Sequence, residues 1–369
     1  MRRGGWIVAA LALGACGGEA RGGQDAGVVI DAEVPCVASA DPSRLVVTAD
    51  WMSRSLTLLG LERVLDPGCS ADEAIVGRID LAAWAPGPLE VEVAPDGRTA
   101  VVAVAPGFMS DEPDHALLVV DLEARAVLGE IELTDAPMGI AIAPDGARAY
   151  VACFGTSDAR GERLAIVDLA TRTLVEEVEV GPRPEQVALS DDGSIGVVSL
   201  GGSDGVRVFR TSDVAGTLTG EIVVGLDPSD VAFVPGTDRF VVATSMRLGF
   251  AVVDVTDPAV PTVVAMPSLS GGIPYGAAWI PGTEDVLLTT SVREQLVRVS
   301  AREPERAPVP TAIGGGGFLI SVAVTPDGTH AITAHAQTHV LSVVELATGA
   351  SHTLSWLEQR GPTWVVIQP

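Results

Sequence analysis

Residues 41–369 predict an all-β fold: a seven-bladed β-propeller of four-stranded antiparallel blades, its ring closed by the C-terminal strand joining the first blade. Three observations carry this. A turn recurs every 44 to 49 residues, four short apolar runs fill each interval, and the repeat begins and ends on incomplete copies that complete each other.

The turn is clearest at Pro95-Asp96-Gly97, Pro144-Asp145-Gly146 and Pro326-Asp327-Gly328. Asp191-Asp192-Gly193, Pro235-Gly236-Thr237 and Pro281-Gly282-Thr283 are variants. Proline presets φ and glycine supplies φ > 0, so each marks a hairpin between a first and a second strand. Residues 137–193 show one module whole: PMGIAIAPDGARAYVACFG, a polar loop, then RLAIVDLATRTLVEEVEVGPRPEQVALSDDG, where the opening phrase starts again. One such sheet cannot bury both its faces, so further copies stack beside it.

At the start, Asp41-Pro42-Ser43 precedes RLVVTAD, a second strand with no first. The chain stops at PTWVVIQP, a first strand with no second. Joining the two restores a blade and removes the bare edges that an open array would leave. Thr363 to Gln368 is therefore expected beside Leu45 to Ala49.

Composition agrees with strands covered on both faces. Hydrophobic residues make up 47% of the 369 and aromatics only 4%, so the apolar mass is small and aliphatic. The segment from Asp121 to Leu133 contains good helix formers. Its counterpart from Asp168 to Val180 is richer in β-branched residues, and repeat consistency predicts strand, turn, strand for both.

The net charge of −25 opposes a polyanion and excludes nucleic acid as a partner. Lysine and asparagine are absent, which excludes Schiff-base lysine chemistry, Walker-type phosphate loops and N-glycosylation acceptors. Without a Cys-x-x-Cys-His there is no covalent c-type haem, and no cofactor is expected.

Residues 1–15 have the layout of an export signal: Arg2 and Arg3, an apolar run from Trp6 to Leu13, then small residues. Leu13-Gly14-Ala15-Cys16 resembles a bacterial lipobox. That resemblance implies a lipidated Cys16, a membrane contact through the N-terminal lipid, and a place in the cell envelope, on the outer membrane or cell surface. Residues 16–40 read as a Gly-rich tether and leading segment. In an exported chain Cys36 and Cys69 are expected to pair, pinning that segment to the first sheet. The bridge closes a 33-residue loop, worth about 3 to 4 kcal/mol. Cys153, inside the strand AYVAC, reads as a buried thiol.

The repeats resemble the YVTN-type seven-bladed propellers. Ala149-Tyr150-Val151-Ala152-Cys153 matches that family's second strand, with Cys in place of Asn. Ile166-Val167-Asp168 matches the third strand, echoed at Val119-Val120-Asp121 and Val252-Val253-Asp254. Gly181-Pro182-Arg183-Pro184 and Gly225-Leu226-Asp227-Pro228 match the link between blades. Such motifs specify fold better than function, since similar rings serve as lactonases, electron-transfer subunits and adhesion modules.

Links between blades, and loops joining second to third strands, leave the ring at one end, where propeller function usually concentrates. The candidate binding face there comprises Trp51, Trp84, His115, Arg160, Arg183, Glu185, Arg247, Tyr275, Arg293, His335, His339 and Arg360, among the acids Asp50, Asp111, Asp114 and Asp158. His330 and His335 lie at opposite ends of one strand, about 16 Å apart at strand rise, and cannot share an ion. His335 and His339 flank one loop but lack a nearby acid, so no metal site is expected.

Gly201 to Gly205 has the letters of a nucleophile elbow without its strand-to-helix setting, and reads as a hairpin loop. Gly314 to Gly317 reads as a link. With no catalytic constellation evident, the expected function is a lipid-anchored binding or scaffold module, holding a protein or polysaccharide through its loop face. The alternative, from fold analogy, is a lactonase-like hydrolase of the periplasm or surface. Glu185, His335 and Arg293 are the residues from which its acid and base would come.

Overall fold

The computed structural model describes residue 36 and residues 42–106, 114–356 and 358–369. The expected signal, Cys16, the tether and Asp111 fall outside them. Strands form where apolar runs meet turn residues. The first is β1 (Leu45–Asp50), followed by β2 (Ser55–Gly60), two short helices α1 (Leu61–Leu65) and α2 (Ala71–Ala74), and β3 (Ile75–Asp80). Next come β4 (Pro88–Val93), β5 (Thr99–Val104), β6 (Ala116–Asp121) and β7 (Ala126–Ile131), then β8 (Ile140–Ile142), β9 (Arg148–Gly155), β10 (Arg160–Asp168) and β11 (Thr173–Glu179). The chain continues through β12 (Pro184–Leu189), β13 (Ile195–Leu200), β14 (Gly205–Arg210), a helical turn α3 (Val214–Thr217) and β15 (Ile222–Val223). Three more sets complete it: β16 (Pro228–Val234), β17 (Arg239–Thr244), β18 (Gly249–Asp254) and β19 (Thr262–Ala265); β20 (Ile273–Trp279), β21 (Asp285–Ser291), β22 (Gln295–Ser300) and β23 (Val309–Ala312); and β24 (Leu319–Val324), β25 (His330–His335), β26 (Val340–Glu345) and β27 (Ser351–Ser355). The last strand is β28 (Pro362–Ile367).

These make seven four-stranded antiparallel sheets. Blade 1 has the order β28-β1-β2-β3, and blades 2 to 7 each take four consecutive strands, beginning with β4, β8, β12, β16, β20 and β24. Those six strands and β28 are innermost. The expected seven-bladed propeller and its shared first blade are both present, with Val46 opposite Ile367 and Ala49 opposite Trp364. The helix-prone run after Asp121 is a hairpin between β6 and β7, as the repeat requires.

Seven hydrophobic clusters hold the ring, one in each gap between neighbouring blades. Strand β5 shows why its sequence is apolar throughout. Ala100, Val102 and Val104 pack toward blade 1, while Val101 and Ala103 pack toward blade 3. Side chains alternate between faces, and both faces meet another blade.

At one end the Asp-Gly turns pack in series. Asp96, Asp145, Asp192 and Asp327 each accept a backbone N–H two residues ahead at 2.8 to 3.0 Å, which closes the turn. The glycine that follows lies against the preceding blade: a Cβ on Gly193 would stand 2.6 Å from Pro144 Cδ. Cys36 and Cys69 form a disulfide. Cys69 lies in the β2–β3 connection, so the incoming chain is pinned at this turn end. Cys153 is a free, buried thiol.

Candidate functional site

In antiparallel blades, links and second-to-third-strand loops emerge at the end opposite the Asp-Gly turns, so all twelve candidate side chains lie on elements of that end. Most are committed to holding it together. Arg183 donates to Thr156 O at 3.1 Å and Ser157 O at 3.2 Å, with its guanidinium 4.8 Å from the Phe154 ring centre. Trp51 Nε1 donates to Ala105 O at 3.3 Å and Trp84 Nε1 to Glu130 at 2.8 Å. His115 Nε2 meets Leu133 O at 3.2 Å, His339 Nδ1 accepts the Gly361 N–H at 3.1 Å, and Arg247 donates to Met266 O at 2.5 Å. Arg160 pairs with Glu162.

Four candidates are buried, and so belong to the framework beneath the face. His335 is wholly enclosed. Its Nδ1–H donates to Gly316 O at 2.6 Å, which leaves Nε2 as the acceptor, facing Ser342 Oγ at 2.8 Å and Thr333 Oγ1 at 3.1 Å. Burial holds its pKa below the usual imidazole range, so the ring is neutral and docks the Gly314–Gly317 link on blade 7.

Arg360 is 2% exposed. It lies over Trp356, donates to Thr57 Oγ1 at 3.1 Å and pairs with Glu358 at 3.4 Å. Thr57 in turn donates to Asp50, whose carboxyl burial pushes up to about 7. Glu185 and Tyr275 form the last pair. Burial, with the charge of Asp227 behind it, pushes Glu185 up to about 8, and the Tyr275 phenol hydrogen-bonds to it.

The central channel contains a cavity of about 480 Å³ lined by Glu90, Glu92, Gln186, Asp230 and Trp364 among others. Glu90 accepts from Ile140 N at 2.7 Å and Gln186 Nε2 at 2.5 Å, and Asp230 from Val231 N at 2.8 Å and Ala277 N at 2.7 Å. Two carboxylates thus stitch inner strands across blade gaps. Burial pushes Asp230 up to about 7 and Glu92, with Asp230's charge adding, up to about 8. Among the described residues, the one acidic, Cys or His group tight enough for an ion is Cys36, Asp66 and Cys69, and its sulfurs are already bonded to each other.

What sequence reasoning missed is apolar. In five blades, four residues join the last paired positions of the second and third strands: 51–54, 201–204, 245–248, 291–294 and 336–339. The second of each four is Met52, Gly202, Met246, Val292 or Gln337. Met52 is 49% exposed, Met246 54% and Val292 78%. Val292 also has φ of 74°, a conformation a β-branched residue avoids unless its surroundings impose it. Aligning the loops on the strand pairs, rather than on the turns, is the signal that finds these three.

The fold recurs in solved structures. A functionally unknown protein from Desulfotomaculum acetoxidans matches with a TM-score of 0.68 at 13% identity, over 88% of this chain and 99% of its own. Hydrazine synthase from Kuenenia stuttgartiensis matches with a TM-score of 0.58 at 18% identity, over 90% of this chain and 99% of its own. Likeness at these identities shows the fold alone. No protein-family model matches the chain, and no curated protein matches it.

Proposed function

We propose that this protein is a binding or scaffold module of the cell envelope, tethered through a lipid on Cys16 and gripping a partner with its loop end. The YVTN-type motifs are consistent with that role. The observation that carries the reading is the set of exposed apolar tips, Met52, Met246 and Val292, at one equivalent position in three loops. Solvent-exposed apolar groups on otherwise committed loops mark a contact surface, and methionine adapts to the shape of what it meets. The disulfide holds Cys36 at the opposite end, on the β2–β3 connection.

The test is capture from solubilised envelope, with the full chain as bait. Binding is expected from the native protein and not from the Met52→Ser, Met246→Ser, Val292→Ser variant, whose melting temperature stays unchanged. Equal capture by both, or turnover of a lactone panel without any capture, overturns the reading.

A further inference from the structure

Among the described residues, the loop end is divided by charge. Going round the ring, blades 2, 3 and 4 present Asp114, Asp158 and Asp204, all exposed. Blades 5, 6 and 1 present Arg247, Arg293 and Arg54, the last two exposed and Arg247 half-buried. None of these six joins an ion pair among the described residues. Arg160 is answered by Glu162, Arg163 by Asp135 and Arg78 by Glu358, while Arg183, in the link between blades 3 and 4, is bonded to the carbonyls of Thr156 and Ser157. Glu294, next to Arg293, is half-buried with a carboxylate oxygen 4.0 Å from the place of a Cβ on Gly316. All three exposed apolar tips lie on the arginine side.

A face that is basic and apolar on one half and acidic on the other complements itself when turned over. We propose that the partner of the loop end is a second copy of this chain, docked face to face about a two-fold axis running through blade 5 and the gap between blades 1 and 2. This inference rests on reading the loop end as a docking face.

In a ring of seven, that axis places each blade over a determined counterpart. Blade 1 lies over blade 2, bringing Arg54 to the second copy's Asp114. Blade 6 lies over blade 4, bringing Arg293 to Asp204 and setting Val292 above Gly202, where the equivalent tip has no side chain. Blade 7, whose loop carries His339, meets Asp158, and on the axis blade 5 meets its own copy through Met246, with the half-buried Arg247 held beside it by Met266 O. Every contact off the axis occurs twice, as an isologous interface requires. Charged pairs at such an interface act chiefly on register and partner choice, while the apolar tips supply buried area.

Sedimentation equilibrium of the full chain in density-matched detergent tests this. The expected mass is that of two chains. Arg54→Asp with Arg293→Asp is expected to give one chain, and adding Asp114→Arg with Asp204→Arg to restore two, because the pairs re-form with signs exchanged. A single-chain mass up to about 100 μM, well within reach of a standard-sized interface, overturns the proposal. So does a dimer indifferent to the charge changes. A monomer whose envelope capture still depends on Met52, Met246 and Val292 retires the second copy alone, and the binding reading stands.

Discussion

Gln368 and Leu45, at opposite ends of the sequence, bond to each other twice: Gln368 N–H to Leu45 O at 2.8 Å, and Leu45 N–H to Gln368 Oε1 at 2.9 Å. The same side chain donates from Nε2 to Gly97 O on blade 2. One glutamine thus stands where the other blades have a turn. Above it, Val365 N–H donates to Ser321 Oγ of blade 7 at 3.0 Å, and Thr363 Oγ1 donates to Leu89 O of blade 2 at 2.8 Å. The closing strand is therefore bonded to the blades on both sides as well as to its own sheet.

Gln368→Ala is expected to cost about 1 to 3 kcal/mol, because it leaves the Leu45 N–H and Gly97 carbonyl without those partners. Urea unfolding at neutral pH measures it. Deleting residues 362–369 removes the inner strand of blade 1 and strips two of the seven clusters of Val365, Ile367, Trp364 and Val366. Loss of the cooperative unfolding transition is the expected result, and a native-like transition would show that the ring does not depend on closure.

The turn glycines offer a matched comparison. Gly236 and Gly193 both have positive φ, 75° and 69°, but a Cβ on Gly236 meets nothing within 4 Å, whereas one on Gly193 meets Pro144. Gly236→Ala is expected to cost about 1 to 2 kcal/mol, the conformational term alone. Gly193→Ala adds the clash and should reach about 3 kcal/mol or more. Equal midpoints for the two variants would mean that serial packing of turns contributes nothing.

Stability should peak on the acid side of neutrality. Burial, with Asp230's charge adding at Glu92, raises Asp50, Asp230, Glu92 and Glu185 to about 7 or 8. For a carboxyl raised in the folded state, its favourable contribution is complete below the unfolded pKa near 4 and is lost as pH rises to about 8. Asp327 moves the other way: hydrogen bonds from Thr325 and Thr329 lower it to about 2, so its contribution is present above about 4 and lost below. Melting temperature is expected to rise from pH 8.5 to about pH 5 and to fall below pH 4. Glu92→Gln should flatten the alkaline limb, and an unaltered limb would remove Glu92 from the account.

His335→Ala is expected to cost about 3 kcal/mol at pH 7, by opening a cavity and leaving Gly316 O without its donor. Because burial depresses the folded pKa of His335, its contribution is full above the unfolded value near 6.5 and lost as pH falls. The gap between native and variant midpoints should therefore narrow at pH 5. A gap that widens there would mean the ring is charged in the folded protein.

Blade number, strand order and the pairing of residues 363–368 with 45–49 were legible in the chain alone. Turn chemistry and period-two burial are local or nearest-neighbour properties, and a repeat states them several times over. The fate of single polar side chains was not legible. His335, Arg360 and Glu185 look like surface candidates by residue type, yet each is buried and bonded to a partner that sequence distance hides: Gly316, Thr57 and Tyr275 are 19, 303 and 90 positions away. The same holds for Met52, Met246 and Val292, which read as ordinary loop residues until ring closure brings their loops to one end. Periodicity settles which segments pair. Which side chains are left facing water depends on the three-dimensional packing of blades around the axis, where residues far apart in the chain become neighbours.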